Sequence, residues 1–462
     1  MGTFIGRKQE LQFLERMYSS PSSEFVPIYG RRRIGKSELI LEFIKDKPAV
    51  YFSGKRAPED IQVQEYLTVA AQSINEPLLA ATSIHHWQEA LEQVVEQWKG
   101  SEKLVIVLDE FQWIAESATA LTSYLQEIWD RKWRDLGYVM LILCGSYVGF
   151  MEREVLGAKS PLFGRRSGQI LLGPFDYREA RSFHPAYSTV DSARTYFICG
   201  GIPYYLQCFD ESISVDENII NNLLSQFAAL FREPDFLLRE ELREVEKYTA
   251  ILYALGARAL TRAELVKMTA IPNGSFGYYK DHMVNLGYLA AHQSLSTNRR
   301  KRPKVHYRIK DPLLRFWFTF VYPNQSQLAR VGPRKLYVDR IKSELPRYFG
   351  GSFEQLCQQA LSHLYLKEGI SADFEVGEYW DKSVQVDVIG LRQDNWVDLC
   401  ECKWGKLRSL KQIIEEVERK VRAYPNHDNA TIGRRVFSRQ KPPRGKLPAL
   451  WSWHTLEDLY NL

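Results

Sequence analysis

Cysteine is scarce in this sequence, and the six present (Cys144, Cys199, Cys208, Cys357, Cys400, Cys402) form no C-x-x-C pair. Their spacing matches no disulfide framework, which argues against a zinc module and a stapled secreted scaffold and fits a reducing compartment. No H-E-x-x-H occurs and the nine histidines are scattered. Long hydrophobic runs are missing as well. The longest, L-V-I-V-L and Y-V-M-L-I-L-C, have strand length, well short of the roughly 20 residues a membrane helix needs. The opening M-G-T-F-I-G-R-K-Q-E lacks the apolar core of a signal peptide, so we expect a cytoplasmic protein with no membrane partner. Neither sign of charge dominates: 61 Lys and Arg against 56 Asp and Glu leave +5. Any nucleic-acid surface must therefore be a local patch. There is no internal repeat and no low-complexity tract.

What remains is an ordinary globular composition, 45% hydrophobic, spread over 462 residues, enough for two to four domains. Residues 1–175 alternate short β-branched runs with helical stretches, the signature of a parallel α/β sheet. Strands are expected at Phe25–Tyr29, Ala49–Ser53, Leu104–Leu108, Tyr138–Cys144 and Gln169–Leu172. Residues 176–244 turn helical, punctuated by Gly200, Gly201 and Pro203. A small helical module closed by a hairpin is expected at 245–312, a helical linker at 313–345, and a final α/β domain at 346–462.

Residues 30–37, G-R-R-R-I-G-K-S, form a complete phosphate-binding loop between an apolar strand and a helix. Gly30 and Gly35 let the backbone turn its N–H groups onto a polyphosphate. Lys36 reaches the terminal phosphates, and the Ser37 hydroxyl is placed for Mg²⁺. The helix that starts there aims its positive end at the same anion. We count Gly30, Arg33, Ile34, Gly35, Lys36 and Ser37 as nucleotide-binding; whether Arg31, Arg32 and Arg33 contact phosphate or a neighbouring domain stays open. The strand L-V-I-V-L-D-E ends in two carboxylates. Asp109 is expected to hold Mg²⁺ through water, and Glu110 to polarise the attacking water. Ser146, at the end of the C-G-S strand, either senses the γ-phosphate or caps a turn. Arg165 and Arg166 are candidate charge stabilisers for phosphoryl transfer, although exposed arginine pairs are commonly just solvated.

In the middle module, T-R-A-E carries a capping box of Thr261 with Glu264. A second helix bearing Tyr278, Tyr279 and Lys280 follows, then a hairpin with a basic tip (Arg299, Arg300, Lys301, Arg302, Lys304). Helix–turn–helix then hairpin is the winged-helix order, and the tip suits a phosphate backbone. Such modules also serve as interdomain joints.

In the last domain, S-V-Q-V-D-V-I-G-L alternates as a strand with Val384, Val386 and Val388 on one face and Asp387 on the other. The next strand, W-V-D-L-C-E-C-K-W, projects Glu401 and Lys403 together. A hairpin brings Asp387 near them, where two carboxylates and a lysine can hold Mg²⁺ or Mn²⁺ and activate water. Glu354, on a helix opened by G-G-S-F-E, adds a further carboxylate.

The N-terminal pieces together resemble the archaeal AAA+/STAND-type ATPases: F-I-G-R-K-x-E-L, the phosphate loop, L-D-E-F-Q-W, C-G-S, S-P-L-F-G-R-R and G-G-I-P-Y-Y-L. The resemblance implies ATP rather than GTP, an opening box (Phe4, Ile5, Gly6, Arg7) near the adenine, and a helical lid carrying G-G-I-P. The C-terminal order of helix glutamate, strand aspartate and E-x-K resembles the PD-(D/E)xK nucleases, with Val386 in place of the leading proline. The fold expected is α/β: a P-loop parallel sheet with helical lid, a winged helix and a restriction-endonuclease-like domain. The function expected is ATP-controlled, metal-dependent cleavage of DNA, gripped by the winged helix and C-terminal domain. The rivals are a STAND-type signalling switch whose C-terminal domain does not cut, and a plain DNA-binding regulator. An arginine acting in trans would require a homo-oligomer, whereas STAND-like relatives also work as closed monomers.

Overall fold

The computed structural model describes residues 4–295 and 305–462. The basic tip residues Arg299, Arg300, Lys301, Arg302 and Lys304 lie outside them. The chain divides into two compact units, one made of Met1–Pro174 with Ile202–Tyr204, the other of Phe175–Gly201 with Tyr205–Leu462. Among the described residues no helix is long and apolar enough to cross a membrane.

The first unit is built on five parallel strands: β1 (Glu24–Tyr29), β2 (Ala49–Ser53), β3 (Leu104–Asp109), β4 (Val139–Gly145) and β5 (Ile170–Leu171), in the order β2-β3-β4-β1-β5. β1, β3 and β4 are buried at every residue, as expected of strands covered on both faces, so they read as continuous apolar runs. An aromatic cluster of Phe52, Tyr66 and Trp87, with ring centroids 5.2–5.9 Å apart, packs one side of the sheet. Because every strand points the same way, the ends of β1, β3 and β4 deliver the phosphate loop, Asp109 and Ser146 to one edge.

Short helices follow one another from Tyr177–Ala180 to Ala229–Glu241, in the second unit apart from Ile202–Tyr204. Helices Val245–Gly256, Arg262–Thr269 and Asn273–Asn285 follow, with the three-stranded antiparallel sheet of β6 (Leu260–Thr261), β7 (Leu289–His292) and β8 (His306–Ile309). Thr261 and Glu264 form the reciprocal capping box, which stops the chain from running on as a strand.

The C-terminal part is a mixed sheet. Its strands are β9 (Phe374–Trp380), β10 (Gln385–Arg392), β11 (Trp396–Lys403), β12 (Thr431–Ser438) and β13 (Trp451–Thr455). β10 runs antiparallel to both β9 and β11, and β11, β12 and β13 are parallel. Helix Leu345–Lys367 precedes them, and helix Leu410–Ala423 crosses from β11 to β12.

Two local expectations fail here. The helix expected to open at Gly350-Gly351 begins at Leu345 and runs through both glycines. Its buried stripe of Phe349, Phe353, Leu356, Ala360 and Leu364 supplies more burial than two glycines cost. The strict alternation along β10 also breaks. Its pairing with β9 shifts register between Val386 and Ile389, so Val386 and Ile389 share one apolar cluster while Val388 lies outside it. A bulge has this effect: one extra residue changes the phase of every side chain beyond it. Asp387 sits at that irregularity.

Candidate functional site

The phosphate loop leaves β1 through Gly30, where a Cβ would come within 2.4 Å of the Leu172 carbonyl oxygen. It enters helix Lys36–Ile44 through Gly35, whose φ of 87° is left-handed. No other residue passes the first point without moving backbone, and few tolerate the second. Lys36 is buried and donates to the carbonyls of Gly30 (2.9 Å) and Arg31 (3.1 Å). Burial lowers its pKa, against the opposing pull of Cys144, Glu110 and Asp109.

Ser37 and Asp109 meet: the Ser37 hydroxyl donates to Asp109 Oδ2 at 2.7 Å. Tyr51 donates to the same oxygen at 2.5 Å, and the Glu110 N–H to Oδ1 at 2.8 Å. Burial alone would raise the Asp109 pKa, but hydrogen bonds from Cys144, Tyr51, Ser37 and the Glu110 backbone outweigh it and hold the carboxyl low. The ionised form is thus the stable one, with hard oxygens of the kind that Mg²⁺ takes.

Glu110 has a left-handed backbone (φ 48°) where β3 passes into helix Phe111–Ser117. The Ser146 hydroxyl donates to its Oε2 at 2.8 Å, and the Gln112 amide bonds both Glu110 and Ser146. Ser146 therefore holds the glutamate. The two arginines differ. Arg165 is committed to Asp130, at 2.7–3.1 Å, and to the carbonyls of Pro161 and Phe163. Arg166 makes one long bond, 3.5 Å, to the Leu156 carbonyl.

In the opening box, Phe4, Ile5 and Gly6 are half-buried and Arg7 is buried. Arg7 donates to the carbonyls of Ile34 (3.2 Å) and Gly173 (2.7 Å), bracing the loop itself. The G-G-I-P-Y segment returns to the loop: Pro203 lies 3.6 Å from where a Gly35 Cβ would be, and Arg33 stacks 4.2 Å over the Tyr204 ring. Tyr51, Gln112 and Tyr204 escaped the sequence reading. Gln112 was within reach of it, as the polar residue two places after Glu110 on the next helix; Tyr51 has no local signature.

The second unit gathers the C-terminal residues. Asp387 Oδ2 accepts the Cys402 N–H at 2.9 Å, tying β10 to β11. Glu401 is buried and takes Lys403 at 2.7 Å on one oxygen and Lys420 at 2.6 Å on the other. Lys420 also lies 3.5 Å from Asp387, and Lys403 bonds Glu416 at 3.0 Å. Burial, then the charge of Glu401, raises the Asp387 pKa to about 6, with Lys420 opposing. Burial, then the charges of Asp387 and Glu378, raises that of Glu354 to about 8. Lys403 and Lys420 are raised by their carboxylate partners in spite of burial. The sequence reading missed Glu416 and Lys420, although their i, i+4 spacing on an amphipathic helix puts them on one face. Among the described residues no group of three or more His, Cys, Asp and Glu is arranged to hold a metal ion.

Comparison with known proteins separates the two halves. Residues 4–209 match a family described as an ATPase domain predominantly from Archaea. Residues 317–417 match one described as "Archaea bacterial proteins of unknown function". The uncharacterized protein MJECL04 of Methanocaldococcus jannaschii is 25% identical over 449 residues, 95% of this chain and 97% of its own. The uncharacterized ATP-binding protein MJ0423 of the same organism is 46% identical over 44 residues, 10% of this chain and 75% of its own. Among solved structures, the Walker-type ATPase PABY2304 of Pyrococcus abyssi superposes with a TM-score of 0.51 at 18% identity, over 68% of this chain and 96% of its own. That last likeness shows the fold. Together with the match over residues 4–209, it supports an ATP-hydrolysing domain in the N-terminal part of the chain.

Proposed function

We propose that this chain hydrolyses ATP and that its nucleotide state controls metal-dependent cleavage of DNA by the Asp387, Glu401 and Lys403 cluster. The observation that carries the first half is the 2.7 Å bond between Ser37 and Asp109, which joins the phosphate loop to the acidic strand end. Backbone N–H groups from Gly30 to Lys36, with the Lys36 ammonium, would hold the phosphates, and Phe4, Ile5, Gly6 and Arg7 would face the adenine. Ser37 and Asp109 would hold Mg²⁺, which supplies charge neutralisation to the phosphates. Glu110, oriented by Ser146 and Gln112, would take the proton of the attacking water. Arg166, less committed than Arg165, would be the charge stabiliser, supplied in cis or by a second copy.

Residues 176–244 would act as the lid and 245–312 as the winged helix, with the helix Asn273–Asn285 and its exposed Tyr278 toward DNA. Residues 313–345 would link them to the nuclease-like domain, 346–462. Support for cleavage is the convergence of a strand aspartate, an E-x-K pair and the helix carboxylate Glu354. Lys420 supports the rival reading. It lies on both Asp387 and Glu401, so as arranged these residues do not make a metal site, and a non-cleaving switch would look the same. Incubation with circular and linear DNA, with and without ATP and Mg²⁺ or Mn²⁺, tests the choice. Cleavage by the wild type but not by folded Lys403→Ala is expected; equal cleavage by both rules out this nuclease centre, and no cleavage by either favours the switch.

A further inference from the structure

Beside the acidic cluster, within the second unit, lies a cavity of about 530 Å³ that none of the above uses. Its walls come from β7 and β8 on one side and from the end of β9 and the turn into β10 on the other. They are fastened together: the Leu295 N–H bonds the Glu378 carbonyl at 2.8 Å, and Ser294 bonds both backbone groups of Trp380 at 2.8 Å. The volume suits a nucleoside-sized ligand.

Three properties of the lining select the ligand. Its flat element is aromatic: Trp380 and His306 pack edge to face with centroids 5.3 Å apart. Its charge balances, with Arg308 paired to Glu378 at 2.7 Å and Lys382 beside Asp381, so neither an anion nor a cation is favoured. It also contains a directional polar atom with no hydrogen-bond partner among the described residues, His292 Nε2, which is buried. Burial, then Arg308, pushes the His292 pKa down to about 4, with Glu378 opposing, so the ring is neutral and can donate or accept. A neutral planar ring with a hydrogen-bonding edge fits all three; a phosphate or a purely apolar ligand does not. The location adds a function. Gln385, at the mouth, pairs with Trp380 across the ladder and lies two residues before Asp387.

We propose that this cavity takes a nucleobase, that of an unpaired nucleotide whose backbone lies along the Asp387, Glu401 and Lys403 cluster. Its attribution to a DNA strand rests on the function proposed above; the base pocket itself does not. The base would stack on Trp380 and offer its edge to His292.

The test is the quenching of 2-aminopurine in the full-length protein with EDTA present, so that no strand is cut. The probes are a duplex with one 2-aminopurine in a single-stranded overhang, the same label inside a blunt duplex, and the free 2-aminopurine riboside. Wild-type protein should quench the overhang label. Trp380→Ala should weaken overhang binding roughly tenfold or more, in the range of base–aromatic stacking, and spare the blunt duplex; Trp380→Phe should restore most of it. His292→Ala should weaken it severalfold, and a wild-type circular dichroism spectrum and thermal melt report that each variant is folded. Quenching of the free riboside supports the pocket with a free nucleoside as its source. Absence of quenching in both overhang and riboside overturns the proposal, as does wild-type affinity in Trp380→Ala or an equal loss for blunt duplex. Quenching that persists in a Lys403→Ala protein unable to cut leaves the pocket standing, so the two readings fail separately.

Discussion

The two acidic centres of this chain use the same residue types to opposite ends. At the phosphate loop, Asp109 receives hydrogen bonds on both oxygens and stays ionised below the ordinary carboxyl range. At the C-terminal cluster, burial and then a neighbouring carboxylate raise Asp387 to about 6 (beside Glu401) and Glu354 to about 8 (beside Asp387), and two lysines balance what charge remains. Donors aimed at a carboxylate prepare it for a cation; carboxylates crowded together without enough donors retain protons or recruit ammonium groups. Under the proposed function the first site would take Mg²⁺ on its own side chains, whereas the second would first have to lose Lys420 or a proton.

That contrast can be broken in a definite order. Lys36→Ala should cut ATP hydrolysis roughly 100-fold or more, as removal of a charged donor from a phosphoryl-transfer site does, while the thermal melt stays cooperative. Lys420→Met should act in two directions. It removes one partner of buried Glu401, costing on the order of 3 kcal/mol in chemical denaturation. It also lets Mn²⁺ bind roughly tenfold tighter in titration calorimetry, since a competing cation is gone. Unchanged Mn²⁺ affinity would mean that Lys420 is no obstacle to metal.

The pH dependence should separate the centres by sign. Glu354 holds its proton in the folded state up to about pH 8, whereas the unfolded chain releases it near 4.5. The folded state then binds more protons, so stability falls as pH rises between those values. The loss should be on the order of 5 kcal/mol, and Glu354→Gln should flatten it. The Asp109 contribution runs the other way, complete above its ordinary value of 3.8 and lost as pH falls below it. Removing a single donor from Asp109 should matter less: Tyr51→Phe should cost roughly 1–2 kcal/mol and raise the Mg²⁺ concentration for half-maximal hydrolysis. The smallest effect belongs to Arg165→Ala. Its bridge to Asp130 is about a third exposed, so stability should change by about 1 kcal/mol or less, with hydrolysis spared; Arg166→Ala should slow hydrolysis.

The phosphate loop, the acid pair and all five parallel strands were legible because each is a local signal: a spaced motif, or an apolar run bounded by turns. The hydrogen bond from Tyr51 to Asp109 was not, since it depends on two strands being neighbours, 58 residues apart in the chain. The helix through Gly350 and Gly351 was misread because tertiary burial overrode a local breaker. The bulge at Asp387 defeated a period-2 reading that treated β10 as unbroken. Lys420 was invisible for a related reason: its charge points into a site formed by strands that precede its helix. Local chemistry reads well from sequence; counter-charges supplied by distant elements do not.

If nucleotide at the N-terminal loop governs the C-terminal cluster, strand scission followed against ATP concentration will reveal it. Wild-type protein with a divalent cation should change its cleavage rate as ATP is added, Lys36→Ala should cut at one fixed rate throughout, and Lys403→Ala should not cut. Cleavage by wild type that is indifferent to ATP, or an ATP response that survives in Lys36→Ala, would contradict it.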